Sequence, residues 1–270
     1  MTVCLALLCD SQDKVVAVAD RMVSVEFLSL QFEQHTKKVD QIGDRFVALT
    51  AGDALGHTEI IREAIRRTDQ QSQPSVFEVA SHIEASFIES RQKLAENSIL
   101  RRVGLDYETF LDQQRNLTPE LVSALVSGYQ DVELEIELLV AGVDGTGAHL
   151  YLISDPGVTT CFDSIGYAAI GSGLPHAEGF LTEADYSPQI SLNRAIWLCY
   201  VAKRRSERAP GVGSKYTDIL VISYETGVQF LDELTLQKLY EIYVQYTERL
   251  QEVTQSIDNS VAGLGLSFQG

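Results

Sequence analysis

Short apolar runs open the chain, and helical periodicity takes over only after residue 56. Residues 2–9 and 14–20 are β-rich and are parted by the turn-like Asp10-Ser11-Gln12-Asp13, a pattern that predicts a hairpin. Two further strands are predicted over about 36–42 and 45–51, around Asp44. From His57 to Asp69 the apolar positions are Ile60, Ile61, Ala64 and Ile65, which is helical spacing. A second helix is predicted after Pro74, with Val76, Val79, Ala80, Ile83 and Phe87 on one face.

From about Asn97 to Asp131 the pattern is helical but less regular, with Thr118-Pro119-Glu120 as a helix-start signal. Strands return at 134–142 and 148–154, then at roughly 158–162 and 167–170. A helix carrying Ile196, Trp197, Cys199, Tyr200 and Val201 follows, then strands at 217–223 and 227–231 and an amphipathic helix over 235–256. Strands, two helices, strands, two helices: two antiparallel sheets between helical layers would bury these faces, an α+β architecture. No linker or repeat interrupts the 270 residues, so the pattern predicts one domain over 1–270, with a helical insertion at about 97–131.

Composition narrows the chemistry. Apolar residues make up 45% and charged residues 22%, as in an ordinary globular protein. No window approaches the roughly 18 apolar residues of a membrane span, and no basic region precedes the first apolar run, so neither a membrane nor a signal peptide is expected. The net charge of −17 would repel phosphate backbones, which disfavours nucleic acid. The one basic run, Lys203-Arg204-Arg205, reads as a solvated helix end. Cys4, Cys9, Cys161 and Cys199 lack metal or disulfide spacing, and the five histidines are dispersed. Neither metal nor cofactor is expected, and reduced thiols predict a cytoplasmic location.

The candidate chemistry sits at the amino terminus. Met1 precedes Thr2, a residue small enough to allow methionine trimming. A freed α-amine beside a threonine hydroxyl is an attested base–nucleophile arrangement. A small second residue is also common in cytosolic proteins, so position two needs support from elsewhere.

That support comes from a set of ordered segments: TVCLALLCD, VVAVADRMVS, TKKVDQIGDRFVALTAGDALG, VAGVDGTGAHLYLISDPG, YAAIGSG and KYTDILVIS. In order and spacing they resemble the proteasome β-subunit family of amino-terminal-nucleophile hydrolases, of the bacterial proteasome-like type. The resemblance covers most of the chain. It implies a four-layer αββα sandwich of two antiparallel sheets. It also implies Thr2 as nucleophile, Asp20 and Lys38 beneath it, and the backbone N–H of Gly52 as oxyanion donor. Ser172 would help hold the terminal amine, and Ser24 would contact the substrate backbone. Lys38 and Gly52 lie fourteen residues apart, as the motif requires. A cation paired with a buried carboxylate beside a hydroxyl would stabilise negative charge and tune the proton balance there.

Taken singly, Asp20-Arg21 also reads as a strand-end ion pair, Lys37-Lys38 as a solvated pair and 171–173 as a plain turn. The chain departs from the family's active members before KYTDILVIS. Those members carry an Asp and a Ser there, whereas residues 208–214 read RAPGVGS, with no Asp.

The resemblance implies a threonine endopeptidase acting on peptides or unfolded proteins inside a homo-oligomeric ring. Whether an ATPase activator feeds the chamber is open. Two other readings stand beside it: a catalytically silent structural subunit of the same fold, and a non-peptide amidohydrolase.

Overall fold

The computed structural model describes residues 2–25, 30–33, 37–52 and 56–263, with backbone alone for 24, 25, 30 and 31. The first strands are β1 (Cys4–Cys9), β2 (Lys14–Asp20), β3 (Met22–Val25), β4 (Leu30–Glu33), β5 (Val39–Ile42) and β6 (Phe46–Gly52). Helices α1 (His57–Thr68), α2 (Val76–Ala95), α3 (Tyr107–Gln113) and α4 (Pro119–Gln130) follow. The chain then forms β7 (Ile136–Asp144), β8 (Gly147–Ser154), β9 (Val158–Cys161) and β10 (Tyr167–Ile170). It ends with α5 (Leu174–Glu183), α6 (Leu192–Ser206), β11 (Thr217–Ser223), β12 (Gly227–Phe230) and α7 (Glu233–Ala262).

Among the described residues the strands form two five-stranded antiparallel sheets, β10-β1-β2-β11-β12 and β5-β6-β7-β8-β9, with β3-β4 as a separate pair. The fold is therefore α+β. Every residue of β1 is buried, which explains why its sequence reads as a continuous apolar run rather than an alternation. Cys4, Ala6 and Leu8 of β1 and Val15, Ala17 and Ala19 of β2 share one core cluster with Leu49 of β6 and Leu139 and Ala141 of β7. Their neighbours on the opposite face meet a helix: α6 packs on β1 and β2, and its Cys199 thiol donates to the Val16 carbonyl at 3.6 Å.

The second sheet has its own helical cover. Ala48 and Val140 cluster with Ile60 and Ile61 of α1 and with Val79, Ile83 and Phe87 of α2. Each such fully buried Ile or Phe contributes about 1.5–3 kcal/mol of transfer free energy. Helix α2 begins with a reciprocal cap. The Glu78 N–H donates to Ser75 Oγ at 3.2 Å, and the Ser75 N–H donates to Glu78 Oε2 at 2.8 Å. A second carboxylate, Asp144 on the second sheet, accepts the Val76 N–H at 2.9 Å.

The segment after α2 continues as a π-turn over Glu96–Leu100 and a tight turn that Gly104 ends with φ +79°. Leu100, Phe110 and Leu125 bury against one another there, with Leu105, Leu117 and Tyr129 packed alongside. The insertion thus carries a small core of its own. The chain divides into two compact units, Met1–Phe230 and Leu231–Gly270, and α7 belongs to the second. No helix among the described residues is long and apolar enough to cross a membrane.

Helix α5 has no counterpart in the sequence reading. Pro175 and Gly179 break its propensity, and its ten residues are too few to display a clear period. Pro175 in its first turn was the available signal.

Candidate active site

Thr2 lies two residues before the start of β1, and Asp20 closes β2, so hairpin pairing brings the two side by side. The Asp20 N–H donates to the Val3 carbonyl at 3.2 Å, one step beyond the Cys4–Ala19 register pair. Lys38 reaches the same point from the other sheet. It lies just before β5, and its carbonyl accepts the Thr50 N–H of β6 at 3.3 Å.

The three side chains form a closed network. The Thr2 hydroxyl donates to Asp20 Oδ1 and accepts from Lys38 Nζ, while Lys38 Nζ lies 3.2 Å from the same Asp20 oxygen. Asp20 is fully buried, and the Lys38 side chain is 14% exposed. Burying a carboxylate costs several kcal/mol unless its lone pairs are filled. Here they are. Oδ1 also faces the Val3 N–H at 3.4 Å, and Oδ2 accepts the Gly213 N–H at 2.6 Å.

Ser172 stands on the amide side of Thr2. The Thr2 N–H donates to Ser172 Oγ at 3.3 Å, and the Ser172 hydroxyl lies 3.2 Å from the Pro210 carbonyl. The Gly173 N–H donates to the Thr2 carbonyl at 3.0 Å. Glycine is required beside this contact, since a Cβ at Gly171 would sit 2.5 Å from the Thr2 carbonyl oxygen. Glu137 fixes that turn by accepting the Gly171 N–H at 2.8 Å.

Gly52 ends β6 at the same edge. Two residues earlier, the Thr50 carbonyl accepts the Cys4 thiol at 3.6 Å, which ties this strand end to β1. Its φ is +98°, and a Cβ would come within 1.9 Å of the Glu135 carbonyl, so only glycine fits. Cys4, below the site, is no nucleophile: burial pushes its thiol up to about 12, against the lowering effect of Lys38. The Ser24 side chain lies outside the described residues, as do Met1 and residues 53–55.

Thr2, Asp20, Lys38 and Ser172 therefore meet in space, and Gly52 closes the strand beside them. Several partners escaped the sequence reading. Gly213 and Pro210 contribute through backbone atoms, which carry no residue-type signal. Asp20, the last residue of β2, spends its carboxylate on Thr2, Lys38 and Gly213. Arg21 instead forms a two-pronged pair with Asp218, at 2.7 and 2.6 Å. Lys37 lies over the Phe230 ring, 3.4 Å from its centroid. The basic run at the end of α6 is not wholly solvated either. Lys203 is fully buried against Glu207 at 2.6 Å, and burial lowers its pKa while Glu207 works to raise it.

No family model matches the chain. Curated relatives do. Proteasome subunit beta 1 of Korarchaeum cryptofilum (strain OPF8) is 30% identical over 133 residues, 48% of this chain and 62% of that protein. Proteasome subunit beta of Ferroglobus placidus (strain DSM 10642 / AEDII12DO) is 31% identical over 113 residues, 42% of this chain and 52% of that protein. In both, the matched stretch spans less than two thirds of the relative. A longer match, 26% over 229 residues, covers 85% of this chain and 91% of proteasome subunit beta 2 of Desulfurococcus amylolyticus (strain DSM 18924 / JCM 16383 / VKM B-2413 / 1221n). These similarities support membership of the proteasome β-subunit family.

Proposed function

We propose that the chain is a threonine-type endopeptidase of a self-compartmentalised, proteasome-like assembly, with Thr2 as its nucleophile once Met1 is removed. The observation that carries this reading is the Lys38–Thr2–Asp20 network with Ser172 beside the Thr2 nitrogen. The two sheets and their helices correspond, in the same reading, to an αββα sandwich of four layers within a single domain over 1–270.

The chemistry proceeds in two halves. The Thr2 hydroxyl attacks the substrate carbonyl, and its proton passes to the freed α-amine, whose reference pKa of about 7.7–8.0 suits neutral pH. Lys38 lowers the cost of charge on the attacking oxygen, and Asp20 holds Lys38 in place. The Gly52 N–H receives the oxyanion, a contribution of about 2.7–4 kcal/mol in comparable sites. The tetrahedral adduct collapses, the substrate's amine leaves with the proton, and an ester remains on Thr2. Water, deprotonated by the same amine, releases the acid and restores the hydroxyl. Ser24 holds the substrate backbone.

In the assembly, copies of this chain form a ring through the faces of α1 and α2, in the cytoplasm, with peptides or unfolded proteins as substrates. Light scattering should give a mass far above 29.8 kDa; a monomer at micromolar concentration contradicts the ring. Intact-mass measurement and labelling by a threonine-directed electrophile test the chemistry. The expected result is loss of Met1 and one adduct on Thr2.

A second reading, a silent structural subunit of the same fold, draws on residues 208–214, which lack the acid that active members carry there. Retention of Met1 in the purified protein would favour it.

A further inference from the structure

The turn at 210–216 serves the site through its backbone. Its Gly213 N–H caps Asp20 Oδ2 at 2.6 Å, and its Pro210 carbonyl meets the Ser172 hydroxyl at 3.2 Å. A backbone partner is only as well placed as the turn that carries it, and this turn contains no carboxylate of its own.

The carboxylate comes from another strand. Glu33, in β4, accepts three consecutive N–H groups. Ser214 and Lys215 reach Oε1 at 2.5 and 2.9 Å, and Lys215 and Tyr216 reach Oε2, each at 3.1 Å. Successive N–H groups converging on one anion make a concave nest that a neutral side chain fills less well. Gly213 lies between the two carboxylates. A Cβ there would sit 2.7 Å from Glu33 Oε1 and 3.2 Å from Asp20 Oδ2. The β3–β4 register sets Glu33 opposite Met22, two residues beyond Asp20. The clamp and the acid it serves are thus held by adjoining strands.

We infer that Glu33 is a positioning residue: it fastens the 213–216 turn so that Gly213 caps Asp20 and Pro210 orients Ser172. It thereby does from β4 what the resemblance assigns to an acid within the loop. The catalytic part of this inference rests on the peptidase reading; the clamp itself does not.

The experiment measures amide exchange and steady-state kinetics on the full chain after Met1 removal, for the wild type, Glu33→Ala and Glu33→Gln. In Glu33→Ala the Gly213 amide should lose protection together with those of 214–216. At the same time kcat should fall about tenfold or more, the scale on which outer partners of reacting groups act, with KM little changed. Glu33→Gln keeps one acceptor oxygen and should fall between. Thermal unfolding checks that each variant is folded; if Glu33→Ala is not, Glu33→Gln supplies the same two readouts. Unchanged Gly213 protection overturns the inference, and so does lost protection with kcat intact. If the wild type shows no turnover, the peptidase reading fails on its own. Gly213 exchange alone then decides whether Glu33 holds the turn.

Discussion

Two threonine hydroxyls sit in charged networks at opposite ends of the strands, one of them in the proposed active site and the other in a turn. At one end, Thr2 touches Lys38 and Asp20. At the other, Thr146 in the β7–β8 turn lies 2.8 Å from His149 Nε2, whose Nδ1 lies 2.7 Å from Asp163 Oδ2. On paper the second group has the order of a Thr-His-Asp relay. The Thr146 hydroxyl donates to Asp144 Oδ1 at 2.6 Å. Asp144 in turn holds the first N–H of α2 and the Thr146 N–H at 2.8 Å. The group is a brace for a turn and a helix start. Thr2 has a cation and a serine hydroxyl around it, in addition to an acid. Proximity of the right residue types is thus a weak criterion: both hydroxyls donate to an aspartate, and the groups differ in what else each holds, a helix start and a turn for Asp144, a lysine and a serine at the Thr2 nitrogen for the other.

The largest contrast should come from deleting each hydroxyl. In the protein lacking Met1, Thr2→Ala should abolish peptide turnover, while Thr146→Ala leaves kcat unchanged. Equal activity in Thr2→Ala would remove the distinction. Next comes the charged pair. Lys38→Ala should bring turnover close to nothing with the fold retained, and Asp20→Asn should also be severe, because Lys38 loses its fixed partner. Circular dichroism beside the kinetic assay distinguishes this from unfolding.

A smaller effect concerns the brace alone. Burial works to raise the Asp144 carboxyl, but hydrogen bonds from Thr146 and the Val76 N–H outweigh it and hold the group below the usual aspartate range. A depressed folded-state pKa stabilises the protein above the unfolded value and loses that contribution as pH falls through the folded one. Stability should therefore decline with acid below about pH 4, and Asp144→Asn should flatten that limb. The same substitution should cost about 1–3 kcal/mol at neutral pH through the weakened α2 start, read by chemical denaturation. Least costly is a thiol count. Cys4 and Cys9 are each pushed up to about 12 by burial, Cys199 is raised well above its ordinary value, and Cys161 alone is exposed. One thiol should react in the native protein at pH 8, with turnover preserved.

Only one side of this contrast was legible in the sequence. Two β-rich runs parted by a turn marked the β1–β2 hairpin, and the resemblance named Thr2, Asp20, Lys38, Gly52 and Ser172, whereas nothing marked the Thr146 group. What escaped depends on contacts between distant segments. Glu33 stands 181 residues before Ser214, and nothing local marks it as an anion for that turn. Lys203 belongs to a basic run at a helix end, where solvation is the usual fate. The helix instead turns that one position inward, onto Glu207. The insertion was legible as helical, and Thr118 does cap α4, but π and tight turns break the period that would mark its faces.

The β1–β2 hairpin also acts as a ruler. Residues Asp10, Ser11 and Gln12 at its tip all have positive φ and lie outside the paired strands. A residue added at the tip would leave Cys4 opposite Ala19 and Thr2 beside Asp20. A residue added inside β2 would turn every later side chain to the other face, carrying Asp20 away from Thr2 into the layer beneath α6. A change of length along the sides of this hairpin therefore undoes the Thr2–Asp20 pairing, while one at the tip spares that pairing and disturbs instead the contacts of the tip with Pro188, Ile190 and Ala148.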